Sequence, residues 1–308
     1  MSYKRVISLL PSATEMMFAL NAQELLCGRS HECDFPAEVQ SLPVCTSASI
    51  HNGMSSKDID EQVKSTLWKA LSLYDININL IKELKPDLII TQDQCKVCAV
   101  HLSDLEKVLE SELGYTPTII SFHPHSLQDF YDNFKELAGL IGKEKEADIL
   151  LEDWNDRIEI IQHKVKFVKN RPRIVCIEWM EPLMTAGHWT PELLEFAGGE
   201  IVLSDKFANS AYISMEQLSD ADPDGIIIAP CGFDLERTKQ ELDVLFTQES
   251  WKNLRAVQKG HVFIADGNAY FNRSGPRLID TAEIIAEILQ VNQFYYGMEG
   301  QCWKQIAD

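Results

Sequence analysis

Short runs of apolar residues alternate along the chain with longer stretches in which apolar residues recur every three or four positions. The first pattern is typical of buried strands, and the second of helices that pack one face against a sheet. Because the two patterns take turns, the sequence predicts parallel sheets covered by helices. The predicted strands are 6–10, 25–28, 88–91, 118–122, 173–177, 200–203, 225–229 and 261–265, and the predicted helices are 14–20, 59–84, 103–112, 127–141, 190–197, 214–219, 236–245 and 276–290.

The segment 143–170 contains neither Gly nor Pro and has apolar residues at helical spacing. This spacing places them on one face of a single helix, about 40 Å long at 1.5 Å per residue. The helix separates two α/β halves, so we predict an amino-terminal lobe (1–141), a connecting helix (142–171) and a carboxyl-terminal lobe (172–308). The face consists of Leu150, Trp154, Ile158, Ile161, Val165 and Val168.

The 308 residues carry a formal net charge of −19, with ordinary globular proportions of hydrophobic and charged residues. An acidic surface repels phosphate backbones, which argues against nucleic acid as a partner. No apolar run approaches the roughly 18 residues that a membrane-spanning helix needs, so a spanning protein is not expected. Eight cysteines without a recognisable signal peptide predict reduced thiols and a cytoplasmic protein. If a signal peptide has been removed, a periplasmic or cell-surface protein is expected instead.

Four local segments carry a resemblance that spans nearly the whole chain. They are similar to the substrate-binding proteins of ABC transporters whose two lobes are joined by one helix. That class binds cobalamin, haem, siderophores or metal ions, and its cobalamin-binding members are the nearest. The segments are RVISLLPSATEMMFAL (5–20), LMTAGHW (183–189) with LEFAGGE (194–200), ISMEQL (213–218) with PDGIII (223–228), and the closing pair 251–263 and 271–277.

The resemblance implies an α/β fold of two Rossmann-like lobes joined by a single long backbone helix, with a ligand cleft between the lobes. It implies capture of a cobalamin-like corrinoid, another tetrapyrrole or a chelated metal. The implied partners are this small-molecule or metal-complex ligand and, if the protein is exported, an ABC permease. The loop at 31–36 and the C-x-x-C motif at 95–98 depart from the general transport pattern and look more like a cytosolic relative with a changed site.

Loops at the carboxyl ends of strands are where α/β folds place ligands. Aromatic side chains there are suited to form an apolar wall for a flat macrocycle, and Arg273 to anchor an anionic group. The alternatives are core packing for the aromatic residues, a salt bridge for Arg273 and helix capping for Thr14. The predicted ligand-binding residues are Ser12, Thr14, Glu32, Gln92, Glu178, Trp179, Trp189, Phe233, Asn268, Tyr270, Phe271 and Arg273.

Cys95 and Cys98 follow a buried-strand pattern at C-x-x-C spacing. Two such thiols bind one metal ion, form a disulfide or act as a redox pair, and the alternative is that they only pack. We predict His31, Cys33 and His188 as further metal ligands. Thiolate and imidazole together favour zinc, with other transition metals such as cobalt, iron or copper as alternatives.

The common enzyme motifs G-x-G-x-x-G, G-K-[ST] and G-x-S-x-G do not occur in the sequence. The sequence therefore favours a binding protein over an enzyme. The alternative is a cytosolic metal-dependent enzyme or metal-handling protein that uses a Cys/His site on the same fold.

Overall fold

The computed structural model describes residues 3–48, 54–68, 74–92 and 114–306. The predicted helix at 103–112 and the pair Cys95 and Cys98 lie outside these residues. The chain divides into two compact units, which are described separately below. The first comprises Met1–Met54, Asp58–Pro124 and Gln128–Leu151, and the second comprises Ser55–Lys57, His125–Leu127 and Glu152–Asp308.

A four-stranded parallel sheet forms the centre of the first unit. The strand β5 is buried at every position, as expected for a parallel strand covered on both faces. Two further short strands, which helix α2 separates along the chain, pair with each other in an antiparallel ladder. The sheet order is β2-β1-β5-β6, with β1 at Val6–Ser8, β2 at Leu26–Arg29, β3 at Thr46–Ala48, β4 at Tyr74–Ile76, β5 at Leu88–Gln92 and β6 at Thr118–Phe122.

The predicted single helix at 59–84 is wrong, because β4 interrupts it. Asn77 then starts a new helix, since its side-chain oxygen accepts a hydrogen bond from the Leu80 amide at 3.1 Å. The helices in the first half of the chain are α1 (Pro11–Ala19), α2 (Ser56–Trp68), α3 (Ile78–Leu84) and α4 (Leu127–Ile141), with 3₁₀ turns at Gln23–Leu25 and Ala37–Ser41.

The long helix α5 runs over Glu144–Val165 and is shorter than predicted. It ends where the backbone changes from α-helical hydrogen bonds to the shorter i to i−3 spacing, as in the hydrogen bond from the Val168 amide to the Val165 carbonyl. The boundary between the two units falls inside α5, after Leu151. The buried face differs from the predicted one, because Leu151 rather than Leu150 joins it; its members are Ala147, Leu151, Trp154, Ile158, Ile161 and Val165.

The second unit is built on a seven-stranded mixed sheet in the order β10-β8-β7-β11-β12-β13, with β9 paired to β7. The strands β9 and β11 pair with β7 in parallel, and β12 pairs with β11 in parallel. The strands β8, β10 and β13 each pair antiparallel with a neighbour and were not predicted. The predicted α/β class with parallel sheets is confirmed. The strands are β7 (Arg173–Met180), β8 (Leu183–Thr185), β9 (Glu200–Ile201), β10 (Ala211–Tyr212), β11 (Gly225–Ile228), β12 (Val262–Ala265) and β13 (Trp303–Ile306).

Helices cover this sheet, and no helix in the described part of the chain is both long and apolar enough to cross a membrane. The predicted helix at 236–245 is divided in two, because the turn at Glu241 and Leu242 interrupts it. The helices are α6 (Thr190–Phe196), α7 (Met215–Ala221), α8 (Leu235–Gln240), α9 (Asp243–Phe246), α10 (Glu249–Lys252), α11 (Arg255–Gln258) and α12 (Leu278–Leu289), and a π-helical turn covers Gly267–Phe271.

Candidate functional site

The carboxyl ends of β7, β11 and β12 meet at one edge of the second unit's sheet, because these strands are parallel neighbours. Backbone hydrogen bonds fasten the segments at this edge to one another. The Cys231 amide donates to the Glu178 carbonyl, and the Asn268 amide donates to the Phe233 carbonyl, both at 3.0 Å. The fold therefore brings three of the predicted positions, Glu178, Phe233 and Asn268, together here from segments that lie far apart along the chain.

An aromatic pair is the main apolar feature of this edge. The rings of Trp179 and Phe233 have centroids 5.4 Å apart at an interplanar angle of 56°. The guanidinium of Arg237 lies 4.9 Å from the Phe233 centroid, which is within the range of a cation–π contact. Glu178 and Trp179 lie inside β7 rather than after it, because the strand continues to Met180 in order to pair with β8. Trp179 remains partly exposed, whereas Phe233 is 6% exposed.

The π-helical turn Gly267–Phe271 follows β12 and positions the next two predicted residues. Gly267 is required there, because a Cβ at this position would lie 2.1 Å from the Pro230 carbonyl oxygen. Arg273 is buried and donates a hydrogen bond to the Asn268 side chain at 2.9 Å. Burial raises the pKa of Tyr270, whose hydroxyl lies 3.3 Å from the Cys302 thiol.

Trp189 and Phe271 contribute to packing rather than to an exposed wall. Both side chains are buried, and the Trp189 indole donates a hydrogen bond to the Phe271 carbonyl at 2.9 Å. This bond joins the start of α6 to the end of the π-helical turn. The ring of His188 lies beside that of Trp189, with centroids 5.7 Å apart.

His188 forms a close pair with His125, which also belongs to the second unit. Their Nδ1 atoms are 3.1 Å apart, so one nitrogen carries the proton and the other accepts it. His188 has a positive φ of 53°. Its burial and, to a smaller extent, the neighbouring His125 lower the pKa of His188 to about 4.

This lowered pKa gives an expected pH dependence. Below an ordinary histidine pKa of about 6.5, the unfolded chain binds a proton that folded His188 does not accept, so stability falls as the pH is lowered from 6.5 towards 4. We expect His188→Gln to flatten this part of a plot of Tm against pH. His163→Gln, at an exposed position of α5, is the matched control and should leave the slope as in the unchanged protein.

Two cavities in the second unit lie near this edge. One, of about 300 Å³, surrounds the turn between β7 and β8 and is lined by Glu181, Met215 and Gln248 among others. The other, of about 470 Å³, lies beside the loop that follows β9. The second cavity was not predicted from the sequence. The polar residues that follow β9, among them Ser204, Asp205 and Asn209, could have indicated it. Its lining residues are Thr185, Ile201, Leu203, Ser204, Asp205, Ala208, Asn209 and Ala211.

In the first unit, a buried polar cluster lies where β1 ends and α1 begins. The Thr14 hydroxyl lies 2.9 Å from Ser8 Oγ and 3.1 Å from the Cys33 sulfur. Thr14 does not cap α1, because the helix begins at Pro11 and Leu10 is its N-cap without a side-chain bond. Ser12 is also buried, in the first turn of α1.

His31, Glu32 and Gln92 also lie near the carboxyl edge of the first sheet. His31 Nδ1 is 2.8 Å from Thr46 Oγ1, and its Nε2 is 3.1 Å from Glu32. Both ring nitrogens of His31 therefore contact protein oxygen atoms, and a metal ion would have to displace one of them. Gln92 is buried and ends β5.

The predicted metal ligands do not form a complete site within the described residues. No group of three or more His, Cys, Asp or Glu side chains in that part of the chain is arranged to hold a metal ion. Cys95 and Cys98 lie outside it, so their role as metal ligands stays a prediction. Arg237 was missed by the sequence analysis, although it lies four residues after Phe233, in the first turns of α8, and its guanidinium contacts the Phe233 ring.

Comparisons with known proteins agree with this architecture. A vitamin B12-binding protein of Pectobacterium atrosepticum is 27% identical over 292 residues, which cover 93% of this chain and 88% of that protein. The Fe(3+)-citrate-binding protein YfmC of Bacillus subtilis is 24% identical over 273 residues, with 83% and 81% covered.

Solved structures show the same fold. A periplasmic heme-binding protein of Pseudomonas aeruginosa matches with a TM-score of 0.73 at 17% identity and covers 99% of both chains. The periplasmic vitamin B12-binding protein BtuF of Vibrio cholerae matches with a TM-score of 0.66 at 22% identity, covering 94% of this chain and 97% of that one. The family model described as periplasmic binding protein matches residues 6–269. The chain therefore belongs to the periplasmic binding protein family.

Proposed function

We propose that this protein binds a cobalamin-like corrinoid and delivers it to an ABC permease. The observation that carries the proposal is the Trp179–Phe233 pair at the carboxyl edge of the second unit's sheet. A partly exposed indole supported by a buried phenyl ring is suited to contact the face or rim of a flat, largely apolar macrocycle.

The relatives support a ligand of this type but differ in what their names state. Several are vitamin B12-binding proteins, and one is an Fe(3+)-citrate-binding protein. Among the similar solved structures, two are heme-binding proteins and a third is IsdE of Staphylococcus aureus complexed with heme. We favour a corrinoid over heme and ferric citrate because vitamin B12-binding proteins from Pectobacterium and Vibrio are among the sequence relatives that cover most of this chain.

The test is a binding panel on the purified full chain, with cyanocobalamin, hemin and ferric citrate titrated separately by calorimetry. We expect about one equivalent of cyanocobalamin to bind, with a Kd at or below the micromolar range, equivalent to about −8 kcal/mol. The proposal is wrong if hemin or ferric citrate binds with such an affinity and cyanocobalamin does not.

A further inference from the structure

We propose that the 470 Å³ cavity beside the loop after β9 is a subsite for the amide groups of the ligand, and that Asp205 makes it select amide-bearing over carboxylate-bearing ligands. This inference rests on the proposed function and deepens it, because it states which chemical group separates a corrinoid from the other ligands of the panel.

The position of the cavity follows from the sheet topology. The strand β9 is parallel to β7, so the loop after β9 leaves the sheet in the same direction as the chain after β11 and β12. The loop is also tied to His188: the His188 amide donates to the Ala208 carbonyl at 2.6 Å, and the Phe207 amide donates to the His188 carbonyl at 3.2 Å. The cavity therefore lies at the edge where α/β folds bind ligands.

The lining of the cavity combines apolar walls with polar groups that have different hydrogen-bonding capacity. Asp205 supplies only acceptors when ionised, whereas Asn209 supplies both donors and acceptors. The Ser204 hydroxyl is buried and, among the residues that the structure describes, has no hydrogen-bond partner. A buried hydroxyl without a partner costs free energy, and a bound polar group would relieve that cost.

The other hydroxyl of the lining, that of Thr185, differs from Ser204 in having acceptors within the protein. The Thr185 hydroxyl lies 3.0 Å from the Leu203 carbonyl and 3.4 Å from the Ala211 carbonyl, so it fastens the loop to β8 and β10 instead. The loop itself is strained, since Leu203 and Phe207 have φ angles of 63° and 64°. Non-glycine residues in this region are uncommon and cluster at ligand-binding sites.

The charges around the cavity favour ligand groups that donate hydrogen bonds over ligand groups that are anionic. The neighbouring Lys206 is paired with Glu195, with 2.8 Å between the ammonium nitrogen and the carboxylate oxygen. Asp205, which is exposed, carries the only charge among the described residues that line the cavity, and its carboxylate attracts N–H donors and repels carboxylates.

The negative charge of Asp205 should affect the binding of the ligands named for the relatives differently. The rim of a corrinoid such as cobalamin carries primary amides, which present N–H donors. Heme carries propionate carboxylates, and citrate consists largely of carboxylates. An acidic subsite therefore favours a corrinoid and disfavours the other two through like-charge repulsion.

The experiment compares two corrinoids that share one ring, dicyanocobinamide with amides on its rim and dicyanocobyrinic acid with carboxylates there. Calorimetric Kd values are measured for the unchanged protein, Asp205→Asn, Asp205→Lys and the control Asp220→Lys, an exposed site on α7. We expect the unchanged protein to prefer the amide form. Asp205→Lys should lower that preference at least about tenfold, the size of one charge-assisted hydrogen bond, and Asp205→Asn should lower it less.

The possible results distinguish a failure of the subsite from a failure of the proposed function. If the unchanged protein binds cobinamide but Asp205→Lys keeps the same amide-to-carboxylate ratio as Asp220→Lys, the subsite is refuted and the proposed function stands. If the unchanged protein binds the carboxylate form more tightly, the subsite is also refuted. If neither corrinoid nor cyanocobalamin binds, the proposed function fails and this inference fails with it.

Discussion

Trp179→Ala is expected to weaken cyanocobalamin binding by about tenfold to a hundredfold, because truncating an aromatic contact at the centre of a binding site costs on the order of 1–3 kcal/mol. The indole of Trp179 is partly exposed, and its ring contact is with Phe233 at 5.4 Å. Its indole nitrogen donates to the Glu181 carbonyl at 3.1 Å, which fixes the ring at the end of β7. Equilibrium titration of the purified variant by calorimetry measures the change.

Phe233 requires a milder substitution, because its side chain is 6% exposed and its removal would also leave a cavity. Phe233→Leu keeps most of the volume but loses the ring that contacts Trp179 and the Arg237 guanidinium. We expect an intermediate loss of affinity with a small change in Tm. Tyr295→Ala, at a side chain that is 90% exposed, is the control for removing an aromatic ring from the surface. Unchanged affinity in Trp179→Ala would remove the aromatic pair from the site.

The central parallel strands were predictable because they are short, nearly continuous apolar runs that are buried on both faces. In β11, the sequence Gly225–Ile228 is buried at every position, and β12 (Val262–Ala265) is likewise. The antiparallel strands β8, β10 and β13 were not predicted, since two to four residues are too few to show a period. The break in the predicted helix at 59–84 depends on the Asn77 cap and the pairing of β4 with β3, which local periodicity does not show.

The candidate site was predictable as an edge of the sheet but not as a set of contacts. Local patterns place Trp179, Phe233 and Asn268 at or near strand ends, and strand order then brings them together. The partners of individual side chains depend on residues far away along the chain, as in the bond from Trp189 to Phe271, which spans 82 positions. Aromatic residues near strand ends therefore gave similar signals whether they pack, as Phe271 does, or remain accessible, as Trp179 does.

Glu287→Ala is expected to give a large loss of stability, about 3 kcal/mol, because it leaves one buried and three partly buried N–H donors without a charged acceptor. Glu287 is 3% exposed on α12, and its carboxylate accepts four hydrogen bonds. Three come from the consecutive backbone amides of Tyr296, Gly297 and Met298, at 3.0–3.1 Å, and one from the Trp303 indole at 3.2 Å.

The same carboxylate supports the candidate site from a distance. The segment that it holds leads into β13, and Trp303 packs edge-on against Phe263 of β12 with centroids 5.9 Å apart. Just before β13, the Cys302 carbonyl accepts the Asp266 amide at 2.9 Å, at the start of the π-helical turn that carries Asn268 and Tyr270. Loss of Glu287 should therefore loosen this turn as well as the carboxyl-terminal strand.

Urea unfolding of Glu287→Ala, Glu287→Gln and the control Glu299→Ala distinguishes this role from a general effect of charge. Glu299 is exposed in the same segment, and its removal should change the free energy of unfolding by no more than about 0.5 kcal/mol. Glu287→Gln keeps the size of the side chain and one carbonyl oxygen as an acceptor, but its NH₂ group faces N–H donors that it cannot accept from. We therefore expect about half the loss of unfolding free energy seen in Glu287→Ala. Equal stability of Glu287→Ala and Glu299→Ala would show that the four hydrogen bonds do not stabilise the fold.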